Sequence, residues 1–315
     1  MDETIYKLPR EFLARIKILY PDKYQKICST FLKKKITAFR INYLKTDIHS
    51  LRKELVNTRV KFQELTFPKG SFLLKSELRM LQKTELYLQG KIFVQNVSSM
   101  LVPLVLSPVG KDLICDLCSA PGSKTSQISS LAPESTIMAI EKNRGRYYKL
   151  LANLKQQGVE NVKAFVLDGI WIRKKFPETF DKILVDAPCS AEGLFNVNNP
   201  RSYSYWKPRK IKEAVSKQKQ LLNAAFYALK EGGEIVYSTC TFAPEENEVM
   251  LDWFVNKFKD KLEVLPIHLP LSNAIEGKRL WKGKKLIPEV KLSRRVIPNE
   301  YMEAFFIAKI KKISD

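Results

Sequence analysis

Histidine is almost missing from this chain: 315 residues contain two, His49 and His268. Triad catalysis on a histidine base and zinc sites built on imidazole both lack their raw material. Long apolar runs are missing too. The longest, Met100 to Leu106, falls far short of the roughly 20 residues that cross a bilayer. The opening Met1-Asp2-Glu3-Thr4 has neither the basic nor the apolar region of an export signal. Cysteine is sparse and odd in number, five residues from Cys28 to Cys240, without the framework of a secreted disulfide scaffold. These features predict a cytoplasmic protein with reduced thiols and no membrane contact. Cys115 and Cys118 form a lone C-x-x-C inside a strand-like run. With no second pair it holds no zinc, and a redox pair would open a helix. Cys115 and Cys28 read as core. With 12 Gly and 16 Pro, the chain is neither collagenous nor low-complexity.

What is abundant is positive charge. Fifty-four Lys and Arg against 33 Asp and Glu leave a net +21, a balance that points to a polyanionic partner, most often nucleic acid. Residues 1–92 carry 20 basic and 9 acidic side chains, residues 93–256 carry 20 and 17, and residues 257–315 carry 14 and 7. The flanks are basic and the middle is nearly balanced, as in a reaction core with polyanion-gripping attachments. At 45% hydrophobic and 10% aromatic the chain folds throughout, and its length suits about two domains.

From Asp112 onward, short runs rich in Val, Ile and Leu alternate with helical patterns, the rhythm of a parallel sheet flanked by helices. The spacing predicts strands over Asp112 to Cys118, Ser135 to Glu141, Val162 to Asp168, Asp181 to Ala187 and Gly233 to Cys240. Leu262 to Ile267 and Tyr301 to Ile310 complete seven. Helices are predicted over Asn143 to Gln157, Arg209 to Lys230 and Pro244 to Lys257, two of them closing at Gly158 and Gly232 as helices commonly do. The result is a doubly wound, mostly parallel α/β domain over 93–315. The first 92 residues read as a small α+β module: helices around Glu11 to Tyr20 and Asp22 to Lys33, then a strand Ala38 to Leu44, a helix Asp47 to Val56 and a strand Lys61 to Phe67.

Open parallel sheets bind ligands outside the carboxyl ends of their strands. The first strand runs into DLCSAPGSKT, Asp116 to Thr125, a turn of small residues opening a helix, where backbone N–H groups can approach a polar ligand. It is neither G-x-G-x-x-G nor a phosphate loop. Glu141 ends the second strand, 25 residues after Asp116, where an acid can accept from both ribose hydroxyls. Asp168 and Asp186 end the third and fourth. Three acids closing consecutive strands suit a nucleoside, and a positively charged adenosine derivative in particular. The fourth end reads LVDAPCSAEG and the fifth YSTCTFAPEEN. An isolated free cysteine is usually a small core residue, but Cys189 and Cys240 lie in polar turns at strand ends and open into one cleft if the strands are neighbours.

These motifs, in this order, closely resemble the Sun-type RNA cytosine-5 methyltransferases, with FRIN at Phe39 to Asn42, VQNVSSML at Val94 to Leu101 and EAFFIAKI at Glu303 to Ile310 similar to that family's substrate-side module, junction and closing strand. The resemblance implies a Rossmann-like methyltransferase fold, S-adenosylmethionine as cofactor, and a ribosomal or transfer RNA substrate met by a monomer. It implies Cys240 as nucleophile and Cys189 as the group that releases the methylated base, an assignment the residues by themselves leave open. Asp186 would hold the cytosine edge and Lys124 would favour the thiolate. Cys118, Ser119, Ala120, Pro121, Gly122, Ser123 and Lys124 would wrap the methionine end, beside Asp186. Glu141 would take the ribose, Asp168 the adenine side, and Arg146 would support the site. No metal is implied. Ser123, Ala191-Glu192-Gly193 and Met302-Glu303-Ala304 depart from the usual pattern, and the basic stretch from Leu269 to Val296 matches less well.

The chemistry is consistent with those residues. Carbon 5 of cytosine is a poor nucleophile until a thiolate adds at carbon 6, and a stacked base cannot enter such a cleft, so an unpaired or flipped base is expected. Three alternatives stand beside this reading. One is a catalytically inactive RNA-binding or assembly protein on the same scaffold. A DNA cytosine-5 enzyme would use the cysteine after proline, and an adenine-amine enzyme needs no thiol.

Overall fold

The computed structural model describes residues 3–313. Its first sheet is built from β1 (Ala38–Ile41), β2 (Phe62–Glu64), β3 (Ser71–Leu74) and β4 (Ile92–Val94), in the order β2-β3-β1-β4 with every pairing antiparallel. Helix Ile48–Val56 starts where Asp47 accepts from the N–H groups of His49 and Ser50, the usual solution for unpaired donors at a helix start. Leu51 and Leu55 of that helix pack on Phe39, Phe72 and Ile92, with the Phe39 and Phe72 rings stacked 5.1 Å apart. The predicted strand, helix and strand are therefore present, but β3 lies between β1 and β2. The sequence reading lacked β3 and β4 because SFLL and IFV are short apolar runs without alternation. The expected boundary at residue 92 falls inside β4.

Helices Arg10–Leu19 and Tyr24–Phe31 do not pack on this sheet. Phe12 and Phe31 enter an aromatic cluster with Phe195, Trp206 and Phe242, all from the second unit. Residues 3–31 are thus physically seated on the larger domain.

That domain is organised by β5 (Leu113–Asp116), β6 (Thr136–Glu141), β7 (Val162–Val166), β8 (Phe180–Asp186) and β9 (Leu229–Thr239), parallel in the order β7-β6-β5-β8-β9. The strands β10 (Leu262–Leu265), β11 (Ala274–Glu276), β12 (Leu280–Trp281), β13 (Lys284–Lys285), β14 (Arg294–Val296) and β15 (Phe305–Lys312) follow. β15 lies antiparallel on β9, and its other edge pairs β10 towards one end and β14 towards the other. All seven expected strands are present. β14 and β11 widen the sheet to nine, and β12 and β13 form a separate hairpin.

Alternation along the strands explains the double winding. Ile183, Val185, Ile235 and Tyr237 face helices Pro208–Ala228 and Glu248–Phe258 through Leu221, Ala225, Met250 and Phe254. The intervening Leu184 and Val236 face Leu101, Val105 and Ile128 of helices Val97–Leu106 and Ser123–Leu131 on the other side. After β5 the chain moves outward to β6 and β7, then returns to place β8 against the free side of β5. The direction of winding reverses between β5 and β8, where ligands of open sheets gather.

Replacing Phe12 by Ala should destabilise the whole protein by about 3–5 kcal/mol, measured by urea unfolding followed through tryptophan fluorescence. Because its ring packs against Phe195, Trp206 and Phe242 of the larger domain, a single transition is expected. A separate early transition for the N-terminal helices would contradict this packing.

Candidate active site

The turn after β5 is built by small residues because backbone must pass close to backbone. The Ser119 N–H and hydroxyl both donate to the Ile140 carbonyl at 3.0 Å, and the Gly122 N–H donates to the Ser119 carbonyl at 2.7 Å. The Ala120–Pro121 peptide is cis, and Gly122 has φ +100°, a left-handed conformation that favours glycine. Gly122 leads directly into helix Ser123–Leu131. Asp116, the last residue of β5, accepts from the Thr125 hydroxyl at 2.7 Å through Oδ2. Its Oδ1 is buried with no partner. Burial raises the Asp116 carboxyl to about 6, helped by Asp186 and opposed by Thr125 and Lys124.

Glu141 and Asp168 lie beyond this turn, on the β6 and β7 side. Glu141 is 4% exposed and accepts from the Asn143 N–H at 2.7 Å. Arg146 bridges Glu141 Oε2, 3.4 Å away, and the Ala120 carbonyl. It therefore braces the turn against the acid. Asp168 follows β7, caps the short helix Gly169–Trp171 through the Ile170 N–H, and pairs with Lys142.

On the other side of the turn, Asp186 and Ser238 are directly paired across β8 and β9. The Ser238 hydroxyl donates to Asp186 Oδ1 at 2.8 Å, and Lys124 Nζ donates to Oδ2 at 2.7 Å. Burial works against the Lys124 charge, but Asp186 outweighs it and the ammonium pKa is raised. Three residues beyond Asp186 and two beyond Ser238, the sulfurs of Cys189 and Cys240 lie 3.3 Å apart. Both cysteines are half-buried, so neither is sealed in hydrocarbon. The surroundings push the Cys240 thiol well above its ordinary range, through the hydrogen bond with Cys189, then burial, then the charges of Asp186 and Glu303. The expectation that the site favours a thiolate is reversed: Lys124 is committed to Asp186, and acids and sulfur dominate around Cys240. Cys118, next to the turn, is pushed the same way by burial and the three acids Asp116, Asp186 and Glu141.

The polar residues after each cysteine lock the two turns together. The Ser190 and Thr241 hydroxyl oxygens are 2.7 Å apart. Glu246 accepts from the Ser190 N–H and from Gln218, at 3.0 and 2.9 Å. Glu192 accepts from Trp206 Nε1 at 2.9 Å and from the Phe242 N–H at 3.2 Å. Gly193 slots between the two strands' ends: a Cβ there would lie 2.5 Å from the Ala304 carbonyl oxygen and 2.9 Å from that of Cys240.

Sequence reasoning missed three participants. Asp116 was visible as the first residue of DLCSAPGSKT but was not singled out. Arg40, in FRIN, is buried, donating to Gln95 Oε1 at 2.8 Å, to the Ser126 hydroxyl at 2.8 Å and to the Ser123 carbonyl at 3.2 Å. It fastens the small sheet to the helix that follows the Gly122 turn. Glu303 faces the cleft near Cys240 and Lys124, and burial raises its carboxyl to about 7 against the pull of Lys35 and Lys124. In the basic stretch from Leu269 to Val296, Arg295 is not free for RNA. It is buried in a salt bridge with Glu248 and donates to the Phe242 carbonyl at 2.9 Å. No group of acids, cysteines and histidines among the described residues could hold a metal ion, and no described helix is long and apolar enough to cross a membrane.

Comparison with known proteins places this geometry. The family model for 16S rRNA methyltransferase RsmB/F matches residues 103–311. The tRNA (cytosine(49)-C(5))-methyltransferase of Pyrococcus abyssi (strain GE5 / Orsay) is 37% identical over 279 residues, covering 87% of this chain and 88% of that protein. Ribosomal RNA small subunit methyltransferase F of Escherichia coli (strain K12) is 32% identical over 332 residues, covering 98% of this chain. The chain spans 64% of that protein's length. The crystal structure of a methyltransferase homolog protein from Pyrococcus horikoshii superposes with a TM-score of 0.84 at 30% identity, covering 99% of both chains. The paired cysteine turns, the acid-lined switch point and these matches together establish that the chain belongs to the RsmB/F family of methyltransferases, the Sun-type family its motifs resemble.

Proposed function

We propose that this chain transfers a methyl group from S-adenosylmethionine to carbon 5 of a cytosine in ribosomal or transfer RNA, through a covalent bond between Cys240 and carbon 6 of the base. The observation that carries the reading is the 3.3 Å approach of the Cys189 and Cys240 sulfurs beside Asp186. A lone buried thiol would need no such neighbour.

The residues at the switch point fit the cofactor. Asp116 Oδ1 is a buried acceptor without a partner, which a bound cationic or N–H group would satisfy. In this reading Cys118 to Lys124 hold the methionine end, Glu141 accepts from the ribose hydroxyls, and Asp168 lies on the adenine side. When bound, the cofactor supplies an electrophilic methyl group. Cys240 adds to carbon 6, which makes carbon 5 nucleophilic, and its raised thiol pKa means that a proton must leave as the sulfur attacks. Asp186, fixed by Lys124 and Ser238, orients the cytosine edge. Cys189, in contact with Cys240, assists release once carbon 5 has lost its proton. Residues 1–92 and the basic end of the chain grip RNA phosphates, with residues 93–315 as the methyltransferase unit.

Cys240→Ala should abolish methyl transfer from labelled cofactor while cofactor binding, measured by calorimetry, is kept; normal turnover would refute the assignment. Cys189→Ala should leave protein covalently joined to RNA on a denaturing gel, whereas turnover at the ordinary rate without adduct would remove its release role. RNA affinity should fall with rising salt at a log–log slope of about −0.7 per phosphate neutralised on single strands, measured by filter binding. A flat response would contradict the charge argument.

A further inference from the structure

Behind the thiols lie two buried acids that the proposed reaction does not use. Glu246 Oε1 is 2.5 Å from Ser190 Oγ, Ser190 Oγ is 2.7 Å from Thr241 Oγ1, and Thr241 Oγ1 is 3.0 Å from Glu192 Oε2. Four side chains form one row with three oxygen–oxygen contacts. Each is at hydrogen-bond distance and takes one hydrogen to be attractive. The two hydroxyls bring two hydrogens, and ionised carboxylates bring none. None of the four residues is more than 3% exposed, which leaves the row no access to bulk water. The third hydrogen must come from a protonated acid.

The surroundings select which acid. Burial raises the Glu192 carboxyl too, but Glu192 receives N–H groups on both oxygens, from Trp206 on Oε1 and Phe242 on Oε2, and the Arg15 guanidinium opposes that rise. Glu246 receives both of its N–H donors, Ser190 and Gln218, on Oε2. Its Oε1 meets only a hydroxyl. We propose that Glu246 carries a single proton on behalf of the Glu192/Glu246 pair, donates it to Ser190 Oγ, and so completes a one-directional row of hydrogen bonds that sets the spacing of the two cysteine turns. Glu246 is a positioning residue, acting through Ser190 and Thr241 on the chain that carries Cys189 and Cys240.

The electrostatics agree in direction. Burial, reinforced by the charge of Glu192, raises the Glu246 carboxyl to about 7. The other titratable groups around the row are Arg15 and Glu245, which pair with each other, together with Tyr205, Tyr237, Cys189, Cys240 and Asp186. When the proton leaves, one contact in the row has no hydrogen and two charged acids flank it. The Ser190 and Thr241 turns then separate, and the sulfurs with them.

The decisive comparison is wild type against Glu246→Gln, whose amide donates to Ser190 Oγ and cannot lose that donor at working pH. The native Glu246 pKa lies above its ordinary value of 4.5, so the native chain keeps a proton that the unfolded chain has released. That stabilising contribution is complete at low pH and is lost as pH rises towards 7. In urea unfolding of the full chain, the folding equilibrium constant of wild type relative to Glu246→Gln should fall about tenfold per pH unit between about 5 and 7, then level off. A constant ratio overturns the proposal. This readout needs no turnover and is independent of the proposed reaction. The positioning claim rests on that reaction, and is tested by single-turnover methyl transfer. The ratio of Glu246→Gln to wild-type rate should be near one at pH 6 and about tenfold at pH 8, and a ratio flat with pH overturns it. If Glu246→Gln does not fold, infrared spectra of wild type and Ser190→Ala decide. At least one protonated-carboxyl C=O band present at pH 6 must move when the Ser190 hydroxyl is deleted, and a spectrum in which none moves overturns the row.

Discussion

The site depends on the parallel register of β8 and β9, in which Asp186 stands opposite Ser238. With that register set, the chain leaving β8 reaches a cysteine in three residues and the chain leaving β9 in two, and the sulfurs meet. A slip of one residue would turn Asp186 and Ser238 to opposite faces of the sheet, break the hydrogen bond between them and separate the thiols. The fold protects this register from both sides: Ile183, Val185, Ile235 and Tyr237 are buried against one helical layer, and Leu184 and Val236 against the other. Local polar structure then takes over. Each cysteine is followed by a hydroxyl residue held by a buried acid, so the short distance between the sulfurs is maintained by groups that do not themselves face the cleft.

The small N-terminal sheet is fastened to the same machinery. Among the described residues Arg40 has no carboxylate partner. It is held by Gln95 from β4's end and by Ser123 and Ser126 on the helix after the Gly122 turn, while Gln95 donates to Gln127 of that helix at 2.9 Å. Asn42 donates to the Gly90 carbonyl and to the carbonyl of Gln157, the last residue of helix Arg144–Gln157. The small sheet is thus attached through neutral hydrogen-bond partners close to the turn that follows β5.

Much of this was legible in the sequence because the catalytic domain obeys local rules. Apolar runs such as KILVDA mark strands buried on both faces, Gly158 closes its helix as expected while Gly232 lies inside β9 because the preceding helix ends at Ala228, and the acids and cysteines fall at run ends, where an open sheet keeps its ligands. What was not legible depends on partners distant in the chain. The strands SFLL and IFV have no periodic pattern, and their pairing with β1 decides their state. The N-terminal helices look like part of a leading module, yet Phe12 meets Phe195 and Trp206, contacts that no local pattern announces. Lys124 was expected to activate a thiol, but Asp186, 62 residues away, claims its ammonium. Arg295 sits in a basic stretch that suggests RNA, and Glu248, 47 residues before it, takes it instead.

The most direct test of the central claim is to trap the reaction on its nucleophile. RNA carrying 5-fluorocytosine cannot lose a proton from carbon 5, so an enzyme that adds a thiol at carbon 6 stays joined to it after methylation. Peptide mass spectrometry of that adduct should place the nucleotide on Cys240, in the peptide containing Ser238 and Thr239. An adduct on Cys189, or none under conditions that methylate unmodified RNA, would contradict the account.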